Sequence, residues 1–272
     1  MRIFFFSIKI LIAKLLAYFN FYVNYPGLRF ETINIKKNFI DTGASDKIII
    51  CIGDSNTFGW NHIYRHSYPV LLENNLKSQT VEVKVINCGI GGDTVSDGMR
   101  RLRRDVLFFK PDFTIINLGT NDARLFKIKR NNKTKIKSNS VYLLNKYCYS
   151  TKEDIENFRK HLEKIIKILQ GNNIKVILVG LYRVNKIKTG FFYNGGKELI
   201  DAQNKTYWEY NNCIKEAALK NNIMFLDLWN NLNNYEKIKN YLQDDGFHIS
   251  REGQKFIADN LYGIIVGNWF LK

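Results

Sequence analysis

Four short blocks of the chain hold residues able to do chemistry. They are Gly53-Asp54-Ser55-Asn56-Thr57, Asn87-Cys88-Gly89-Ile90-Gly91-Gly92-Asp93-Thr94, Gly119-Thr120-Asn121-Asp122 and Asp245-Gly246-Phe247-His248. Between them they supply a hydroxyl, a carboxamide, bare glycine amides, and an imidazole with a carboxylate three residues before it. A hydroxyl becomes a useful nucleophile when a neighbouring imidazole takes its proton. Amide N–H groups stabilise the negative oxygen that forms when such a nucleophile attacks a carbonyl. Each block alone also reads as turn chemistry, because glycine, asparagine and aspartate are common turn residues. Taken together and in this order, the four are specific. Metal and redox chemistry have less to work with. Cys51, Cys88, Cys148 and Cys213 are far apart, so no C-x-x-C pair or zinc knuckle is present, and reduced thiols are expected. His62 and His66 form an H-x-x-x-H pair, but Ile63 stands where a metalloprotease helix would carry glutamate. No metal and no cofactor are expected.

Something must position these blocks. Lys47–Ile52 is a short apolar run and reads as a buried strand, as do Val81–Ile86, Asp112–Leu118, Ile174–Leu181 and Ile223–Leu228. Helical patterns fall between them at about 67–78, 97–109, 197–221 and 252–267. The clearest helix carries Ile155, Phe158, Leu162, Ile165, Ile166 and Leu169 at 3.6-residue spacing and stops at Gly171. Alternating strands and helices with near-continuous apolar strands imply a parallel sheet covered by helices on both faces. Such a sheet binds its ligand at the carboxyl ends of its strands. Three of the four blocks stand at three successive strand ends.

With these blocks the chain resembles the SGNH hydrolases, also called the GDSL esterase/lipase family, from about Ile48 to about Leu261. The resemblance implies a flavodoxin-like three-layer α/β/α fold with a five-stranded parallel sheet in the order 2-1-3-4-5. It implies hydrolysis of carboxylic esters or related acyl bonds. It makes Ser55 the nucleophile, His248 the base and Asp245 the residue that orients His248. The oxyanion hole would be the Ser55 N–H, the Gly92 N–H and the Asn121 side-chain amide, with Asp54, Asn87 and Thr94 in support. Elementary chemistry agrees. In the order 2-1-3 the first strand lies between the second and third, which places Ser55 between Gly92 and Asn121. An imidazole titrates near neutrality, and a carboxylate on the same turn can fix its tautomer. Gly92 has no side chain to obstruct approach to its N–H.

Other readings are open at this point. Ser55 could serve only as a helix N-cap, and Asp244 could exchange roles with Asp245. The α/β-hydrolase fold wants G-x-S-x-G around its nucleophile, whereas Ser55 sits in G-D-S-N-T. A flavodoxin-type binding domain could use Ser55, Asn56 and Thr57 as a phosphate loop, but has no need of a late Asp-x-x-His. Acyl transfer to another alcohol would use the same residues as hydrolysis. Small-molecule esters, glycan O-acetyl groups and lipids are all chemically compatible substrates.

Composition sets the outer bounds. The 272 residues are 45% hydrophobic and 24% charged, which excludes a disordered chain, a collagen and a coiled coil. Residues 46–272 are expected to form the catalytic domain. Residues 1–45 read as an apolar helix and connector. Residues 3–23 would extend about 31 Å as a helix, enough to cross a bilayer, but Lys9 and Lys14 interrupt them. An anchored helix, a helix packed on the domain and an uncleaved export signal are the three readings, so the location is cytoplasmic or membrane-associated before exported. The net charge is +16, and half of that excess lies in a basic insertion at about 123–150. The insertion is either a solvated excursion or a platform for anionic substrates or a membrane surface. Nothing accompanies it that resembles a nucleic-acid-binding motif.

Overall fold

The computed structural model describes residues 47–62, 64–78, 82–124, 150–185, 197–232 and 235–269. The apolar segment 3–23, most of the basic insertion and Cys148 lie outside them. Five strands form one parallel sheet: β1 (Lys47–Gly53), β2 (Val83–Gly89), β3 (Phe113–Asn117), β4 (Lys175–Val179) and β5 (Met224–Leu226). Their order is β2-β1-β3-β4-β5, as the resemblance implied. β1 and β3 are central, and apart from Lys47 every residue in them is buried. Both faces are covered, so these strands read as continuous apolar runs without alternation.

The helices are α1 (Ser55–Phe58), α2 (Tyr68–Lys77), α3 (Val95–Asp105), α4 (Lys152–Gly171), α5 (Lys197–Lys220), α6 (Leu228–Asn231), α7 (Tyr235–Tyr241) and α8 (Arg251–Trp269). On one face, Ile49, Cys51, Phe113, Ile115 and Ile177 pack with Leu72 of α2 and with α8, whose Ile257, Leu261 and Ile265 lie at helical spacing. The other face meets α3, α4 and α5. Gly98 brings α3 so close to Ile52 and Leu118 that an added Cβ would lie 2.5 Å from a Leu118 methyl. α4 buries Phe158, Leu162, Ile165, Ile166 and Leu169, the stripe expected from its periodicity. Cys51, Cys88 and Cys213 are buried. Among the described residues no helix is long and apolar enough to cross a membrane.

The boundaries moved where polar caps overrule hydrophobic periodicity. α3 begins at Val95, two residues before the expected start, because Thr94 and Asp97 form a reciprocal cap: the Asp97 N–H donates to Thr94 Oγ1 and the Thr94 N–H to Asp97. Thr151 and Asp154 start α4 in the same way. β5 shrinks from the expected six residues to Met224–Leu226 because Asp227 caps α6 immediately after it.

Candidate active site

Strand register sets the first half of the site. Gly53 pairs with Gly89 on one side and with Asn117 on the other, so three adjacent strands end level with one another. Their loops deliver Ser55, Gly92 and Asn121 to the same edge of the sheet. The crowding is severe: a Cβ on Gly89 would sit 2.2 Å from the Phe58 nitrogen. Glycine therefore lets α1 lie directly on the end of β2. At Gly92 the requirement is different. A Cβ there would meet nothing within 4 Å, but φ is +86°, a left-handed conformation that favours glycine. The backbone angle, beyond any need for an open approach, accounts for the residue.

Ser55 is the first residue of α1 and is buried. Asp54 caps that helix, its Oδ1 accepting from the Asn56 N–H at 2.9 Å. Neither the Ser55 nor the Gly92 N–H has a hydrogen-bond partner among the described residues. The Asn121 amide donates to the Asp93 carbonyl at 3.0 Å and lies 3.4 Å from Asp54 Oδ2. Asn87 is structural: it donates to the Thr57 carbonyl and accepts from the Gly89 N–H, both at 2.9 Å. Thr94 is committed to its cap. The third block also braces α3, because Asp122 accepts from the Val95 N–H at 3.0 Å.

Arg101 is a residue of this half that the sequence did not announce. It is buried on α3, and its guanidinium donates to the Gly53 and Cys88 carbonyls at 2.9 and 2.7 Å. It also pairs with Asp93 at 2.6 Å and Asp105 at 3.1 Å. One cation thus joins the ends of β1 and β2 to the residue whose carbonyl holds Asn121.

The other half of the site belongs to no strand. Leu242 and Ile249 form an antiparallel bridge that closes a turn carrying Asp245 and His248. Asp245 Oδ1 accepts from the Phe247 and His248 N–H groups at 2.9 and 3.0 Å, and its Oδ2 lies 2.5 Å from His248 Nδ1. His248 Nε2 lies 3.1 Å from Ser55 Oγ. Asp244 is exposed, and the neighbouring Asp245 is the carboxylate at the imidazole.

Side-chain hydrogen bonds to distant segments hold this turn in place. Asn56 Oδ1 accepts from the Ile249 N–H at 3.0 Å, and its amide donates to the Tyr182 hydroxyl at 2.9 Å. Tyr182 in turn donates to the Phe247 carbonyl. Gln254 donates to the Asn56 carbonyl at 2.9 Å, and Gln243 donates to the Trp60 and Ile249 carbonyls at 2.8 and 2.9 Å. His62 Nε2 lies 2.8 Å from the Ile249 carbonyl, which gives this histidine a bracing role. The Trp60 indole stacks on His248 at 5.7 Å between ring centroids. Trp60, Tyr182, Gln243 and Gln254 carry no motif, and the H-x-x-x-H pair of His62 pointed to no such role. Asn56 was legible only as a neighbour of Ser55.

Two carboxyls differ in charge behaviour. Burial pushes Asp54 up to about 6, against the pull of the Asn56 N–H. Burial would also raise Asp245, but the hydrogen bond and charge of His248 outweigh it and take that carboxyl down to about 2. An ionised Asp245 can therefore face the imidazole throughout the neutral range.

A family model described as GDSL-like Lipase/Acylhydrolase matches residues 51–256, which hold the first three blocks and the Asp245–His248 turn. The chain belongs to this family. It is an ester-bond hydrolase. The hydrolase is 28% identical over 214 residues to a protein of Bacillus subtilis named "Uncharacterized lipoprotein YqeF", covering 75% of this chain and 76% of that one. Its fold is similar to a lipase/acylhydrolase from Enterococcus faecalis, with a TM-score of 0.62, 24% identity, and coverage of 82% and 96% of the two chains. It is also similar to the acetyl xylan esterase AlAXEase, with a TM-score of 0.59, 25% identity, and coverage of 80% and 99%.

Proposed function

We propose that the hydrolase is a serine esterase in which Ser55, His248 and Asp245 form the triad. One observation carries this reading: the unbroken line from Ser55 Oγ to His248 Nε2 at 3.1 Å and from His248 Nδ1 to Asp245. Ser55 Oγ attacks the ester carbonyl while His248 Nε2 takes its proton. The charge moves to the former carbonyl oxygen, which the N–H groups of Ser55 and Gly92 and the Asn121 amide receive. Asn121 would give up its 3.4 Å contact with Asp54 for that oxygen and keep its bond to Asp93. His248 then protonates the departing alcohol, leaving an acyl-enzyme on Ser55. Water, deprotonated by His248, releases the acid and regenerates Ser55. Asp245 accepts the Nδ1–H throughout and keeps Nε2 free to act as base.

The substrate we favour is a small acyl ester, an O-acetyl group on a carbohydrate first. The likeness to an acetyl xylan esterase supports that choice. A non-catalytic binding domain would leave an Asp–His pair aimed at a serine without purpose. The test is turnover of 4-nitrophenyl acetate and of acetylated xylose by wild type and Ser55→Ala. Release of nitrophenol and acetate by wild type, lost by at least about 10³-fold in the variant, is expected. Equal rates would remove the serine mechanism.

A further inference from the structure

The geometry points to a charge-recognition subsite beside these residues: Arg124, with the Tyr207 hydroxyl, receives an anionic group carried by the ester substrate. The inference rests on the esterase reading above and adds a substrate class to it.

Arg124 follows Asn121 by three residues. Its guanidinium carbon lies 4.6 Å from the centroid of the Phe247 ring, and Phe247 adjoins His248. The side chain thus spans from the loop that carries Asn121 to the turn that carries His248. Three arginines among the described residues are not fully exposed: Arg101, Arg124 and Arg159. Arg101 pairs with Asp93 and Asp105, and Arg159 pairs with Glu216 at 2.6 Å. Arg124 alone of the three makes no close ion pair among the described residues, although its charge bears on Asp54 from farther away. A partly desolvated guanidinium normally finds a counter-charge, and its fork suits a carboxylate or phosphate held by two parallel bonds. Contact with a ring face also leaves the N–H edge available.

A second, independent observation lies in the same corner. Tyr207 on α5 is buried, and its hydroxyl has no hydrogen-bond partner among the described residues. Buried tyrosine hydroxyls usually have one. Gln203, four residues earlier and so on the same helix face, donates to the Ala123 carbonyl at 3.0 Å. That bond docks this face of α5 against the segment from which Arg124 leaves. The charges agree: burial pushes the Tyr207 phenol up, the Arg124 cation opposes the rise, and Asp54 and Asp245 add to it. Those two carboxylates are already engaged. Asp245 faces His248 and two backbone N–H groups, and Asp54 faces the Asn56 N–H and the Asn121 amide. A cation without a close ion pair and a buried hydroxyl without a hydrogen bond among the described residues, beside a serine–histidine pair, describe a place for an anion on an ester.

The anion can sit on either side of the scissile bond. On the acyl side it is the free carboxylate of a dicarboxylic half-ester; on the alcohol side it is an acetylated uronic acid. The experiment compares four substrates: 4-nitrophenyl acetate, mono-4-nitrophenyl glutarate, acetylated glucose and acetylated glucuronate. Each is assayed with wild type, Arg124→Gln and Tyr207→Phe. The readout is the KM of a charged ester divided by that of its neutral counterpart, which cancels any general loss from a loosened fold. For one of the two pairs the ratio is expected to rise about tenfold or more in Arg124→Gln, and less in Tyr207→Phe. The pair that responds identifies the side. Ratios unchanged in Arg124→Gln for both pairs overturn the subsite. Turnover of 4-nitrophenyl acetate by wild type, lost in Ser55→Ala, leaves the esterase reading standing whichever way the ratios fall.

Discussion

Ser55, Gly92 and Asn121 leave three neighbouring strands that end level, whereas Asp245 and His248 stand on a turn outside the sheet. The first group is placed by backbone register and by one buried arginine that gathers the carbonyls of Gly53 and Cys88. The second is placed by single side chains: Asn56 and Tyr182 bond to the turn, Gln243 reaches out of the turn to Trp60, and Gln254 holds Asn56. Two means of holding a site residue are thus set side by side. Register is shared among many backbone bonds and loses little when one is cut. A turn fixed by single side chains loses alignment with each of them.

Removing the carboxylate from the turn tests the second half hardest. Asp245→Asn keeps the size of the side chain but no longer holds the imidazole in the working tautomer. A fall in kcat of about 10⁴-fold is expected, with a melting temperature close to that of wild type. Asp244→Asn, at the exposed neighbour, is expected to leave kcat unchanged. Parity between the two variants would break the assignment.

The next pair sharpens the contrast itself. Asn56→Ala removes the acceptor for Ile249 and the donor to Tyr182, so the turn drifts. Its kcat is expected to fall by about 10²-fold, the cost of a misplacement near 1 Å, with a stability loss of about 1–3 kcal/mol. Arg101→Met strips the counter-charge from Asp93 and Asp105 in the interior and is expected to cost about 3–5 kcal/mol in denaturant unfolding. At a temperature where both variants are folded, Asn56→Ala is expected to be the slower enzyme and Arg101→Met the less stable one. The reverse ranking would mean that the two halves are not held differently.

Much of the first half was legible because its signals are local. A β-branched run ending in glycine marks a strand end, and the order of the four blocks gave the sheet order through the family resemblance. The second half was legible only at Asp245 and His248. Gln254, Gln243 and Tyr182 act across long sequence separations, and a glutamine in a helix or a tyrosine after a strand has no local pattern to mark it. Arg101 was hidden for a related reason. It sits in a run of arginines, Arg100 to Arg104 with Leu102 between, where a solvated face is the ordinary reading. Only the fold shows that Arg101 alone of the four turns inward.

The smallest expected effect concerns acidity. The folded Asp54 carboxyl titrates near 6 instead of its ordinary 3.8, so the native state holds that proton more tightly than the unfolded chain. Its contribution to stability therefore falls as pH rises from about 4 to about 6. Asp245, drawn down to about 2, acts in the opposite sense, and its contribution is lost as pH falls from about 4 through about 2. Unfolding of wild type and Asp54→Asn across pH 3–7 measures the first effect. The stability of the variant relative to wild type is expected to rise between about pH 4 and 6 and to be flat above that. No change in relative stability across the window would show that Asp54 titrates normally.

The Ser55–His248 hydrogen bond joins residues 193 positions apart in the chain. Synthesis delivers the hydroxyl long before the imidazole, and the two meet only once the turn bridged by Leu242 and Ile249 has docked against α1. A chain cut anywhere between them would hold the two groups on separate pieces, kept together by packing and hydrogen bonds alone.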